Sequence, residues 1–384
     1  MIRTQKVKLY PNSHMRKVLL DLCDYRRYCW NQALETWNNM HDAYCLNKTA
    51  NRKPNKLRVR DELVANKADW QYGLSSRTLQ LAITDLGTAW DDFFNEALPD
   101  WGKPRFKSKR APRQGFKTDR AKLVKGKLRL DKPHGAANWY DIRFNKHVDL
   151  DGILKTVSIY CENGIFWACL NLEVIIEPKC QTNQLTAVDV NVGHFNYTDG
   201  LINVIPKQLN RLYEQIKYYQ RNLAHKRVVN GKKATHTINY RAMRAKLQRA
   251  YRKATNIQHD LMQKVTTKLV TDFDTIVIED LAVKKMQMTH VASKGGHRSM
   301  FGYFRQLLTY KCDWYRKQLV LAERSYPSTQ RCSQCGYVKQ GLEKITLRGN
   351  ALHGTRHDQY DCYQCGAKLN RDSNAVANLL ALAK

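Results

Sequence analysis

The sequence predicts a multidomain α+β chain. Its N-terminal half should hold short alternating strands interrupted by helices, and its C-terminal half apolar strands tipped with acids. Three observations carry this expectation. Residues 2–10 alternate and stop at Pro11-Asn12, as a half-buried strand does. Residues 186–192 and 274–281 are instead nearly continuous apolar runs, each broken only by acids and single polar residues, which suits central strands. Near the C-terminal end stand two Cys-x-x-Cys pairs, Cys332/Cys335 and Cys362/Cys365, spaced to supply a tetrahedral four-thiolate zinc site.

After the first strand, residues 14–44 read as a helix with Trp30, Leu34 and Trp37 on one buried stripe. A second helix is expected over 55–65. A third is expected over 75–95, capped by Ser75 or Ser76, with Leu79, Ala82, Ile83, Leu86, Trp90 and Phe93 facing inward. Residues 101–131 change character: twelve Lys/Arg stand against two acids, with Trp101, Phe106 and Phe116 interleaved. Such a stretch can neutralise phosphates and stack on bases, the alternative being a solvated basic loop. Strands follow at 138–144, 153–161 and 164–175, the last two joined by Asn163-Gly164, a hairpin signal. With the first strand they would form a small barrel carrying the helices of 14–95 as an insertion.

Past Leu185 the first apolar strand carries Asp189, and residues 207–270 read as helical. Residues 221–253 contain eleven Lys/Arg and no acid, a segment that repels itself unless a polyanion lies against it. The second apolar strand ends in Glu279-Asp280. A loop over 283–298, a helix over 299–317 and a strand over 319–325 complete the approach to the cysteines. The final helix is expected from Ser373 to Ala383, with Asp372 on the polar turn before it.

At 384 residues the chain can hold two or three domains, and 43% hydrophobic residues support packed cores. Sixty-five Lys+Arg against 34 Asp+Glu leave a net charge of +31, which points to a polyanionic partner. Membrane binding is disfavoured, because the basic runs lack an apolar face and no run of 18 apolar residues occurs. The start lacks a secretory pattern, so an intracellular protein is expected. Cys23, Cys29, Cys45, Cys161, Cys169, Cys180 and Cys312, scattered in apolar or aromatic context, are expected to be reduced core thiols. The plain alternative for the four C-x-x-C thiols is burial or disulfide pairing.

Asp189, Glu279 and Asp372 are individually ordinary, since acids end strands and cap helices routinely. Together they make the set an RNase H-type nuclease needs, in which two Mg²⁺ ions about 4 Å apart are held by hard oxygen ligands from separate elements. Linear spacing does not show that they converge.

Here the residues resemble a known family. Lys8-Leu9-Tyr10-Pro11-Asn12, Leu79-Gln80, Ala89-Trp90-Asp91-Asp92-Phe93-Phe94 and Lys103-Pro104-Arg105-Phe106-Lys107 occur in order. Val188-Asp189-Val190-Asn191-Val192-Gly193, Ile278-Glu279-Asp280-Leu281, Pro327 to Gly336, Cys362 to Gly366 and Arg371-Asp372-Ser373-Asn374 follow. This series resembles TnpB, the transposon-encoded RNA-guided nucleases related to type V CRISPR effectors. The resemblance implies a RuvC-like nuclease domain of RNase H fold at 181–331 and 367–384, with Asp189, Glu279 and Asp372 binding magnesium. It implies a zinc-binding insertion at 332–366, a wedge β-barrel at 1–11 and 99–180, and a helical recognition domain at 12–98. The implied partners are a transposon-end guide RNA and double-stranded target DNA, in a prokaryotic cytoplasm. Gln80 is the candidate for reading a motif beside the target. Lys103, Arg105, Phe106, Lys107, Lys109 and Arg110 are candidates for nucleic-acid contact.

Two departures stand out. Asn191 occupies a place where the family often has Gly, which questions the local strand geometry. The linker between the Cys pairs carries His353 and His357. Since four thiols already complete a zinc shell, these histidines are expected to meet solvent or nucleic acid. A nuclease-inactive RNA-guided regulator is the rival reading. It would lack at least one of the three acids, and all three are present.

Overall fold

The computed structural model describes residues 1–97, 101–131, 141–145, 151–229, 232–233, 235–281, 299–324, 326–346 and 348–383. They form two compact units, residues 1–175 and 176–384.

The first unit contains β1 (Ile2–Tyr10), α1 (Ser13–Leu46), α2 (Lys56–Ala65), α3 (Ser76–Phe94), β2 (Arg113–Thr118), β3 (Lys122–Val124), β4 (Lys127–Arg129), β5 (Asp141–Phe144), β6 (Ile153–Glu162) and β7 (Ile165–Glu173). The strands make one antiparallel sheet in the order β2-β6-β7-β1-β5-β4-β3. Strand β1 is its hub: residues 2–8 pair with β7 and residues 9–10 with β5. The β6–β7 turn places Asn163 at φ +51° and Gly164 at φ +76°, the conformation for which Asn-Gly is selected. Helix α1 serves two cores. Met15, Leu19 and Leu22 join Val7, Leu9, Ile142 and Phe166 on the sheet, while Trp30, Leu34 and Trp37 pack with Leu79, Ile83, Leu86 and Trp90.

Several expectations change here. The basic stretch 101–131 holds three strands, and Phe116 is only 3% exposed in the sheet core, so its ring is not available to a base. Each strand is short, and Lys and Arg occupy the outward positions, which hides the inward alternation. Among the described residues these strands form one seven-stranded sheet whose edge strands, β2 and β3, do not pair with each other. Strand β5 begins at Asp141, and residues 138–140 lie outside the described residues. Ser75 stands at the N-cap of α3 without capping it, because its hydroxyl donates to Asp131. Phe93 is 36% exposed, and Cys45 and Cys180 are exposed rather than core thiols.

The second unit begins with β8 (Leu185–Val190), β9 (His194–Tyr197) and β10 (Gly200–Asn203). It continues with α4 (Lys207–His225), the two-residue strands β11 (Val228–Val229) and β12 (Lys232–Lys233), and α5 (Ile238–Asp272). Then come β13 (Thr275–Glu279), α6 (Phe301–Tyr315), β14 (Gln318–Ala322), β15 (Gln359–Asp361), β16 (Lys368–Asn370) and α7 (Arg371–Leu380). The main sheet runs β10-β9-β8-β13-β14. Strands β8, β13 and β14 are parallel, β9 runs antiparallel to them, and β10 turns back antiparallel to β9. Val188, Val190, Ile276 and Ile278 face a core shared with α5 and α6, whereas Ala187 and Val277 face α7. The helical stretch expected over 207–270 is two helices separated by the β11–β12 ribbon. The loop expected over 283–298 lies outside the described residues, as does residue 325 of the expected last strand, which ends at Ala322.

Candidate active site and metal centre

Strand periodicity places the acids. Side chains two apart share a face, so Asp189 follows Ala187, and Glu279 follows Val277, on the side covered by α7. The parallel register Ile278↔Val188 leaves both carboxylates at the same ends of neighbouring strands. Helix α7 supplies the third. It starts at Arg371, earlier than expected, because the Asn370 side chain accepts from the amides of Asp372 (3.1 Å) and Ser373 (3.0 Å). Asp372 therefore lies within the first turn rather than before the helix, where a negative charge suits the helix dipole. Its Oδ2 accepts from Asn196 Nδ2 at 3.0 Å and lies 3.6 Å from His194 Nε2. Asn196 is the β9 residue paired with Asp189, so the β8–β9 hairpin joins the first acid to the third.

Asp189 is 4% exposed. Burial, with the Glu279 charge beside it, pushes its carboxyl up to about 7, and Asp372 adds to the effect. Asn191 Nδ2 opposes this by donating to Asp189 Oδ2 at 2.6 Å. The Asn191 departure thus leaves β8 intact and gives its acid a donor. Burial also raises Glu279, against a hydrogen bond from the Ser328 hydroxyl. Crowded, desolvated carboxylates with raised proton affinity are hard oxygen donors short of a cation, which fits magnesium. They are more loosely gathered than a single-ion site. Among the described residues only the four C-x-x-C thiols bring three or more ligand atoms within 4.8 Å of one another.

Those thiols fit zinc. The Cys332–Cys365 and Cys335–Cys362 sulfurs are 3.8 and 3.5 Å apart. A tetrahedron with arms of about 2.3 Å has edges of about 3.8 Å, whereas a disulfide bond is about 2.05 Å. Each pair sits on the same turn. Gly336 N bonds Cys332 O and Gly366 N bonds Cys362 O, at φ of +80° and +73°, which only glycine adopts without strain. Burial would raise the Cys362 thiol, but the amides of Cys365 and Gln364, with the neighbouring Cys365 and Cys335 thiols, outweigh it and hold the sulfur below its ordinary value. His353 instead lies against the Tyr363 ring, centroids 4.5 Å apart, and the His357 carbonyl accepts from Arg371.

The thiol module is tied to the acids through α7. Asn374 Nδ2 donates to Arg331 O at 2.7 Å and its Oδ1 accepts from Ser333 N. Asn378 Nδ2 donates to Ser328 O and Arg331 O. The segment that enters the first Cys pair therefore also presents the Ser328 hydroxyl to Glu279. Sequence reasoning missed Ser328, His194, Asn196 and Asn370 as supports. Only Asn370, an N-capping type just before a helix, left a local signal.

The nucleic-acid candidates stand apart from one another. Gln80 is half-buried and accepts from Arg77, whose guanidinium pairs with Asp119. The segment carrying the others is pinned to α1: Trp30 Nε1 donates to Arg105 O, and Asn31 clasps both backbone groups of Lys107. Lys107 Nζ lies 3.7 Å from the Trp30 ring centroid, and burial lowers its pKa to about 8. Lys103 lies over Trp90, and Lys109 pairs with Asp24 at 3.1 Å. Phe106 and Arg110 are exposed.

Residues 168–289 match the family described as "Probable transposase" (OrfB_IS605), and residues 301–379 match "Cas12f1-like, TNB domain". The chain is 28% identical over 312 residues to a "Putative RNA-guided DNA endonuclease" of Streptomyces pristinaespiralis, covering 80% of this chain and 71% of the relative. It is 25% identical over 401 residues to "Putative RNA-guided DNA endonuclease InsQ" of Escherichia coli (strain K12), covering 98% and 91%. Its fold is similar to the protein in "Cryo-EM structure of the Cas12f1-sgRNA-target DNA complex", with TM-score 0.55, 10% identity, and 99% and 98% of the two chains covered. Among the described residues no helix is long and apolar enough to cross a membrane.

Proposed function

We propose, for a chain that belongs to the TnpB (OrfB-type) family, the activity of an RNA-guided DNA endonuclease. It would bind a transposon-end-derived guide RNA and read a short motif beside the target on double-stranded DNA, while base pairing reads the target sequence. Hydrolysis of the phosphodiester would occur at Asp189, Glu279 and Asp372. The observation that carries this reading is the shared face: two acids end adjacent parallel strands beneath the helix that bears the third. The order β10-β9-β8-β13-β14, with only β9 antiparallel to the rest, supports an RNase H-type nuclease unit.

Magnesium bound by these carboxylates supplies Lewis-acid stabilisation and an activated water. The chain's own residues do the positioning. Asn191 holds one oxygen of the buried Asp189 and Ser328 one oxygen of the half-buried Glu279, leaving the other carboxylate oxygens for a cation. Asn196 and the Asn370 cap fix Asp372. The four thiols, as a zinc site, would brace the 328–333 segment and the start of α7. The family assignment of 1–11 and 99–180 to a wedge, 12–98 to recognition, 181–331 and 367–384 to nuclease and 332–366 to a zinc insertion is part of the same proposal.

The test is Asp189→Ala, purified with its RNA. Guide RNA and target binding should persist while cleavage falls below detection. Cleavage at the unaltered rate would overturn the site, and RNA-guided binding without cleavage by the unaltered chain would favour the regulator.

A further inference from the structure

A cleft in the helical part of the first unit has no role in the site above. It encloses about 460 Å³, within the roughly 300–1,000 Å³ of small-ligand sites, and its walls include Trp37, Tyr44, Lys53, Lys56, Trp90 and Phe94. Three of these rings form a ladder. Trp37 and Trp90 stack with centroids 5.6 Å apart at 10°, and Trp90 and Phe94 at 5.7 Å and 19°. The tryptophans are core residues, but Phe94 is 65% exposed, so the ladder ends on a ring that meets solvent. Basic groups rim it. Lys53 and Lys56 are exposed, and Lys103 Nζ lies 5.6 Å from the Trp90 centroid. Gly87 admits Lys56 to this wall, since a Cβ there would lie 3.0 Å from Lys56 Cβ.

The aromatic end and the cationic rim together match a heteroaromatic ring with an attached phosphate. Asp91, also on the rim, can accept from an exocyclic amine.

We propose that this cleft captures one unpaired nucleotide, its base extending the Trp37–Trp90–Phe94 ladder and its phosphate meeting Lys53 and Lys56. The inference rests on the reading of the chain as a nucleic-acid-binding protein and adds a base-capture site to it. The test uses the full chain with single-stranded oligonucleotides carrying one photoreactive thiobase, 4-thiouridine in RNA or 4-thiothymidine in DNA. Crosslinks should map to peptides containing Tyr44 or Phe94, and the arm that crosslinks identifies the strand type. Phe94→Ala, at an exposed position, should abolish that crosslink and weaken binding by about tenfold, the scale of one stacked base. An abasic nucleotide at the probe position should weaken the unaltered chain equally. A second variant, Lys53→Gln/Lys56→Gln, should lower the salt dependence of binding by the equivalent of about one neutralised phosphate. Tight binding with crosslinks elsewhere and no effect of Phe94→Ala overturns the pocket alone. Failure of the unaltered chain to bind any oligonucleotide overturns the pocket and the family reading together.

Discussion

Asp189 sits where its charge is least welcome, inside a strand and beside another carboxylate. Its ordinary pKa of 3.8 rises to about 7 in the fold. Between those values the folded state keeps a proton that the unfolded chain has released. Stability present in acid is therefore lost as pH climbs through that window. Without magnesium, and with zinc retained, Asp189→Asn should raise the melting temperature more at pH 8 than at pH 5.5. A shift of about three units sets a ceiling of about 4 kcal/mol. A pH-independent difference between the two proteins would sink this account. Magnesium should raise the melting temperature of the unaltered chain and not that of the variant, since on the proposed reading the ion would bind the ionised carboxylates.

Helix α7 shows how an element positions a functional group. Its N-cap, Asn370, is the last residue of strand β16 and sets the turn that carries Asp372. Asn370→Ala should cost about 1 kcal/mol of stability. It should also lower cleavage beyond what the lower stability explains, whereas Asn370→Asp, which keeps the cap, should restore both. Equal behaviour of the two variants in cleavage assays would argue against the cap's role. The thiol module acts on the same helix through Asn374 and Asn378. Because structural zinc binding is folding free energy, Cys332→Ser should lose bound zinc and destabilise the second unit. Cys45→Ser, at an exposed position elsewhere, should do neither. Zinc content measured by atomic emission, beside thermal melting, distinguishes these outcomes.

For the whole molecule, the net charge of +31 predicts that binding to a nucleic acid weakens as salt rises. Helix α5 carries exposed Arg241, Arg244 and Lys246 in a segment without acids. Replacing all three with Gln should flatten the plot of log affinity against log salt by about one unit for each phosphate these side chains neutralise. An unchanged slope would mean that this face does not touch the backbone. The two units also differ in how readily their composition revealed them. The long helices of the first were legible from apolar stripes, Trp30–Leu34–Trp37 above all. Strands β2 to β4 were not, because two of them span three residues and outward lysines and arginines dominate all three. Phe116, which the interleaved basic pattern offers as a stacking ring, is core for the same reason.

By itself the sequence determined the chemistry available: four thiols in two knuckles, three acids at the ends of apolar or capped elements, and a strongly basic surface. Those are local facts, set by residue type, short spacing and turn-forming glycines. Only the tertiary structure decided that Asp189 and Glu279 share a face, that Asn196 bridges to Asp372, and that Ser328 reaches Glu279. The physical reason is register. Which strands neighbour each other, and in what alignment, is settled by hydrogen bonding and packing between segments far apart in the chain. Periodicity along one segment carries no trace of that pairing.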